Sequence, residues 1–111
     1  MKRIFLGEFE ELVLLTIAVL QEQAYGVAVT QELERQADRV VDFSTVHTTL
    51  KRLEEKGFLS SRMGGATAER GGRRKRLYTL TAAGGQALQE VQRVRSRLWQ
   101  QVPPKWQLQG L

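Results

Sequence analysis

Residues 43–57 read FSTVHTTLKRLEEKG, and their pattern indicates the class of fold. Three apolar residues recur at spacings of four and three, which indicates an amphipathic helix with a narrow buried stripe: Val46, Leu50 and Leu53. The opposite face carries hydroxyls and charges: Ser44, Thr48, Lys51 and Glu55. We therefore predict a helix from Phe43 to Lys56, ended by Gly57 as its C-cap glycine.

A β-hairpin is predicted directly after this helix. Apolar and polar residues alternate from Phe58 to Arg62 and again from Lys75 to Thr81, as in half-buried strands. The residues between them, 63–74, include four glycines and one large apolar residue, Met63, which predicts a flexible loop.

Two helices are predicted upstream of this segment. The first runs from Glu8 to Gln23 and is apolar on nearly every side between Leu12 and Leu20, so it must be covered on two sides. A second subunit is one candidate for the partner that covers one of these two sides. The second helix runs from Gly26 to Ala37, and the connector after it is expected to place Val40 and Val41 in the core.

One long helix is predicted at the other end, from Ala82 to about Gln101, with Thr81 as its N-cap. Its apolar residues recur at spacings of four, three, four and four: Ala87, Val91, Val94, Leu98 and Val102. Pro103 and Pro104 end it, and residues 105–111 are expected to form a loose tail.

The order of elements predicts a mainly α fold with a small β-hairpin, which is a winged helix-turn-helix with an added long helix. Residues 1–81 are predicted to form the winged domain, 82–102 a dimerisation helix and 103–111 a flexible tail. A chain of 111 residues fits a single core.

The positive charge is concentrated in one segment. Residues 62–76 contain six basic residues and one acidic residue, so their net charge of +5 equals that of the whole chain. A local basic segment on a neutral body indicates a docking site for a polyanion.

Several classes of function have no support in the residues. The chain has no cysteine and one histidine, and no metal-binding cluster or nucleophile–base pair is visible, so we expect no cofactor, no metal and no enzyme activity. The apolar run from Leu12 to Leu20 is too short to span a bilayer, and we expect a cytoplasmic protein without membrane contact.

A winged helix-turn-helix places its second motif helix in the major groove of DNA, and basic side chains hold the phosphates. The third helix and the basic loop take these roles here. The candidate DNA-binding residues are Ser44, Thr45, His47, Thr48, Lys51, Arg52, Arg70, Arg73, Arg74 and Lys75. His47 has two interpretations, a DNA contact or a residue at the helix margin packed against Tyr25.

Five segments, in order, resemble the PadR family of bacterial transcriptional regulators. They are LGEFEEL (6–12), AYG (24–26), VHTTLKRLEEKG (46–57), GRRKRLY (72–78) and LTAAG (80–84). The family usually has tyrosine at the position of His47 and often glycine at that of Ser44.

The resemblance implies a homodimer, usually a repressor, in which the last helix packs on the partner's first helix. The predicted dimer residues are Phe9, Leu12, Leu15, Ala87, Val91, Val94, Leu98 and Trp99. Some members bind a planar apolar ligand between subunits against a tryptophan, whose position corresponds here to Arg95. Trp99 therefore has two interpretations, packing across the dimer or stacking on such a ligand.

The function predicted from these observations is a sequence-specific repressor acting as a homodimer on a palindromic operator, with release by a small effector as one possibility. The alternative is a winged-helix module that binds proteins without reading DNA.

Overall fold

The computed structural model describes residues 6–64 and 75–107. The chain forms helix α1 (Glu8–Leu20), a 3₁₀ turn (Gln21–Gln23), helix α2 (Gly26–Ala37) and helix α3 (Phe43–Glu55). Strands β1 (Leu59–Met63) and β2 (Arg76–Leu80) follow, then helix α4 (Ala82–Gln100) and a 3₁₀ turn (Pro104–Trp106). The predicted class, mainly α with a small hairpin, is confirmed.

The core lies where α1, α2 and α3 meet the hairpin. Its fully buried side chains include Val13, Leu14, Val29, Val46, Leu50 and Leu53. Strands β1 and β2 pair antiparallel, with Leu59 opposite Leu80 and Met63 opposite Arg76. Tyr25, just before α2, forms an isolated bridge to Leu77 and ties the hairpin to the helices.

Capping groups fix the two ends of α3. The Asp42 carboxylate accepts a 3.1 Å hydrogen bond from the Ser44 amide at the N-terminus. At the other end, Gly57 has a φ of 83°, which favours glycine. The Gly57 amide donates to the Glu54 carbonyl and the Phe58 amide to the Leu53 carbonyl, which is a Schellman motif. Because Phe58 belongs to this cap, β1 begins at Leu59 rather than at Phe58 as predicted.

The prediction for the connector after α2 is wrong for Val40. Val40 is 90% exposed, not in the core. Asp38 ends α2 in a left-handed conformation, and the Glu34 carboxylate accepts the Val41 amide at 2.8 Å, so the connector half-buries Val41 and leaves Val40 outside. Part of the expected loose tail forms the 3₁₀ turn Pro104–Trp106, whose first residue is compatible with a helical start.

Candidate nucleic-acid interface

The outward face of α3 is exposed over its whole length. The candidate DNA-binding residues of α3 all lie on this face or at its margins and are exposed to solvent: Ser44, Thr45, His47, Thr48, Lys51 and Arg52. Val46, Leu50 and Leu53 anchor the opposite face in the core. The helix therefore packs against the body of the protein and exposes its hydroxyl and cationic groups to solvent.

Asp42 organises the first turn of α3, and the sequence reasoning did not select it. Its carboxylate accepts hydrogen bonds from the hydroxyls of Ser44 (2.9 Å) and Thr45 (3.4 Å) as well as from the Ser44 amide. The Ser44 hydroxyl and then the Ser44 amide hold the pKa of Asp42 below its ordinary value. An aspartate directly before a helix is the signal that could have found it. The N-terminus of α3 thus already carries an anion.

His47 lies at the margin of α3 that faces the hairpin. Its ring stacks on Phe43, with centroids 6.1 Å apart and planes at 24°. Tyr25 lines the same groove as His47. The side chain is exposed, so packing on Phe43 and contact with DNA are compatible.

The groove between α3 and the hairpin, called here the α3–hairpin groove, has a volume of about 240 Å³. Its lining residues are Tyr25, Gly26, Val27, Phe43, His47, Lys75, Arg76 and Tyr78. The Lys75 ammonium lies 5.3 Å from the centre of the Tyr25 ring. The Arg76 guanidinium donates to the Ser61 hydroxyl, which donates to Glu54 on α3. Three of the candidate DNA-binding residues in the basic loop lie outside the described residues: Arg70, Arg73 and Arg74.

Two buried carboxylates at the start of α1 have cationic partners far along the chain. Glu10 accepts two hydrogen bonds from the Lys56 ammonium, at 3.0 and 2.8 Å. Burial alone would raise the pKa of Glu10, but the hydrogen bonds from Lys56 and the Gly7 amide outweigh it and lower that pKa. Glu11 binds Arg95 on α4 through both carboxylate oxygens, at 2.7 and 3.1 Å. No local sequence pattern predicted either pairing.

The predicted dimer residues differ in how much surface they retain. Val94, Leu98 and Trp99 on the second half of α4 are exposed, with Leu98 at 62%. Phe9, Leu12, Leu15 and Val91 are half-buried. Ala87 is fully buried within the protomer. Ala87 therefore does not belong to the predicted partner surface, because the turn of α4 that carries it packs on the chain's own body.

The comparisons with known proteins identify the family of this fold. The PadR-like family of transcriptional regulators matches residues 14–90, which is more than half of the chain. The chain belongs to this family. No curated protein sequence gives a significant match.

Solved structures agree with the PadR-like assignment. A PadR-like transcription factor from Bacteroides fragilis shares 25% identity over 83% of this chain and 84% of its own, with a TM-score of 0.68. One from Bacillus cereus, at 19% identity, covers 93% of both chains with a TM-score of 0.71. Bacillus subtilis PadR in complex with operator DNA shares 23% identity over 75% of this chain and 45% of its own, with a TM-score of 0.59.

Within residues 6–64 and 75–107, no helix is both long and apolar enough to cross a membrane. In the same ranges, no three His, Asp or Glu side chains are grouped so that they could hold a metal ion.

Proposed function

We propose that this PadR-like regulator is a homodimeric repressor that binds a palindromic operator through α3 and its basic hairpin. The observation that carries the proposal is the exposed face of α3. Ser44, Thr48 and Lys51 project from a helix whose other face is fixed in the core, which is the arrangement of a major-groove reader. The Bacillus subtilis relative crystallised with operator DNA supports the same role.

The dimer part of the proposal is supported by α4. Beyond Val91 this helix is exposed throughout, yet it carries Val94, Leu98 and Trp99. Large apolar side chains grouped in this way on a projecting helix indicate a protein contact. A second copy covers them in the proposed dimer, and two α3 helices then meet two half-sites. A planar apolar effector bound at this contact would stack on Trp99 and change its fluorescence.

Selection of bound duplexes from random DNA tests this function. The wild-type protein should enrich a palindrome, and its affinity should fall steeply as salt rises. Lys51→Ala should change which bases are preferred, whereas Arg74→Ala should weaken binding to all duplexes and lower the salt slope by about one.

Two results would contradict the proposal. If no duplex binds in a salt-sensitive way even at low ionic strength, the protein-interaction module is favoured instead. If Lys51→Ala leaves both affinity and preference unchanged, α3 is not the reader.

A further inference from the structure

The α3–hairpin groove is lined by both apolar and cationic side chains. Phe43 is 46% and Val27 54% exposed, so an aromatic ring and methyl groups are accessible to a ligand. Two cations, Lys75 and Arg76, line the same groove. The Tyr25 hydroxyl lies at the loop end of the two strands, where a Cβ at Gly64 would be 3.7 Å from it. A sugar–phosphate unit likewise combines a weakly polar ring with an anion.

The position of the groove also fits such a unit. An α-helix with its side chains is about 10–12 Å across, and the major groove is about 12 Å wide. A helix seated there fills the groove, so the sugar–phosphate strands that wall the groove run directly along the helix margins. Phe43 and His47 form the margin of α3 that borders the α3–hairpin groove.

We propose that the α3–hairpin groove holds one sugar–phosphate unit of the DNA strand beside α3. Lys75, His47 and the Tyr25 hydroxyl contact the phosphate, while Phe43 and Val27 contact the deoxyribose. This inference rests on the proposed function and adds a defined phosphate site to it. It also extends the DNA contact to Tyr25, Val27 and Phe43.

The contact is independent of base sequence. Contacts to phosphate and sugar position a protein on the duplex and carry no base information. Lysine holds a phosphate as a point charge, without fixing the identity of the base.

Neutral methylphosphonate linkages test the site directly. A duplex enriched by the protein from random DNA is prepared with one phosphate at a time replaced, and its affinity is measured with the wild-type protein and with Lys75→Gln. At the phosphate that occupies the groove, the methylphosphonate replacement and Lys75→Gln should each weaken binding about five- to tenfold. The two changes together should weaken it little more than either one alone, because both remove the same contact. At other phosphates the two effects should multiply.

Lys105→Gln is the matched control, because Lys105 also lies over an aromatic ring, 5.4 Å from the centre of Trp106, but away from the groove. It should show no coupling to any phosphate. Tyr25→Phe, which keeps the ring, should show the same coupling as Lys75→Gln. If the wild-type protein binds the duplex tightly but effects multiply at every phosphate, the groove assignment is wrong and the proposed function stands. If no duplex binds in a salt-sensitive way, the proposed function itself fails.

Discussion

At the scale of single residues, Glu10 shows how a carboxylate can be both buried and charged. The Lys56 ammonium and the Gly7 amide supply its hydrogen bonds, at distances of 2.8 to 3.0 Å. The pair joins the start of α1 to the end of α3, 46 residues apart in the chain. It therefore fixes the end of the proposed reading helix against the body.

The pH dependence of stability should report this carboxylate. Since the folded-state pKa of Glu10 is lowered, its contribution is fully present above its ordinary pKa of 4.5 and is lost as the pH falls through the lowered value. Glu10→Gln should cost about 1–2 kcal/mol at pH 7, because Lys56 stays partly in water. The midpoint temperature of thermal unfolding of Glu10→Gln should then fall less steeply, from neutral to acidic pH, than that of the wild type.

Glu8→Gln is the control, because Glu8 lies in the same helical turn but is exposed. It should keep the wild-type pH dependence. Parallel pH curves for Glu10→Gln and the wild type would contradict the role of the buried pair.

At the scale of elements, the first turn of α4 contains two adjacent glycines with different surroundings. A Cβ on Gly84 would overlap the carbonyl oxygen of Phe58. The backbone of α4 therefore lies in direct contact with the backbone at the start of the hairpin. A Cβ on Gly85 would only touch Leu80, at 3.9 Å. Thr81 caps the helix by accepting the Gly84 amide at 3.0 Å.

Alanine at these two positions should therefore have opposite effects. Gly84→Ala should cost about 1–3 kcal/mol because backbone atoms must move. Gly85→Ala should stabilise the protein by up to about 1 kcal/mol, through the higher helix propensity of alanine. Urea unfolding of both variants measures this. Equal effects of the two changes would show that the close approach to Phe58 is unimportant.

Within the described residues, the Glu11 carboxylate links the second half of α4 to α1 through hydrogen bonds. Arg95 and Gln92 both donate to Glu11, and the two Arg95 bonds match the planar fork of the guanidinium. Removing the arginine leaves a buried carboxylate with a single neutral donor from α4. We therefore expect this cluster to hold the direction of α4 beyond Val91.

Arg95→Ala should lower the free energy of unfolding by about 1–2 kcal/mol and raise amide hydrogen exchange in residues 92–100. Arg93→Ala is the matched control, since Arg93 pairs with Glu90 on the exposed face of the same helix. It should change stability by less than about 0.5 kcal/mol. Unchanged exchange in Arg95→Ala would mean that α4 is held by other contacts.

At the scale of the whole molecule, the proposed repressor depends on an apolar surface that its own fold leaves uncovered. Leu98 lies in the last turn of α4, next to Trp99 and four residues after Val94. In the proposed dimer this surface sets the distance between the two α3 helices, and therefore the spacing of the half-sites.

Leu98→Asp should convert the protein to a monomer and abolish tight operator binding, because a carboxylate would be buried in the contact. Sedimentation measures the change in mass. Val40→Asp places the same acid at an exposed valine away from α4 and should leave the dimer intact. A Leu98→Asp protein that sediments as a dimer would place the interface elsewhere.

Periodicity determined most of the secondary structure. The stripe of Val46, Leu50 and Leu53 predicted α3 and its outward face, and the bounds of α2 agree with the prediction. Such local patterns are readable because each helix and strand has its own spacing and its own capping residues. The candidate residues of α3 could be named for the same reason.

Tertiary structure alone decided the contacts between distant parts of the chain. The Glu11–Arg95 pair, the burial of Ala87 and the α3–hairpin groove bring together residues far apart in sequence. No local pattern encodes them, since they depend on the angles at which finished elements pack. The sequence therefore determined the elements and the charge of this regulator, whereas packing decided which of those side chains remain available to a partner.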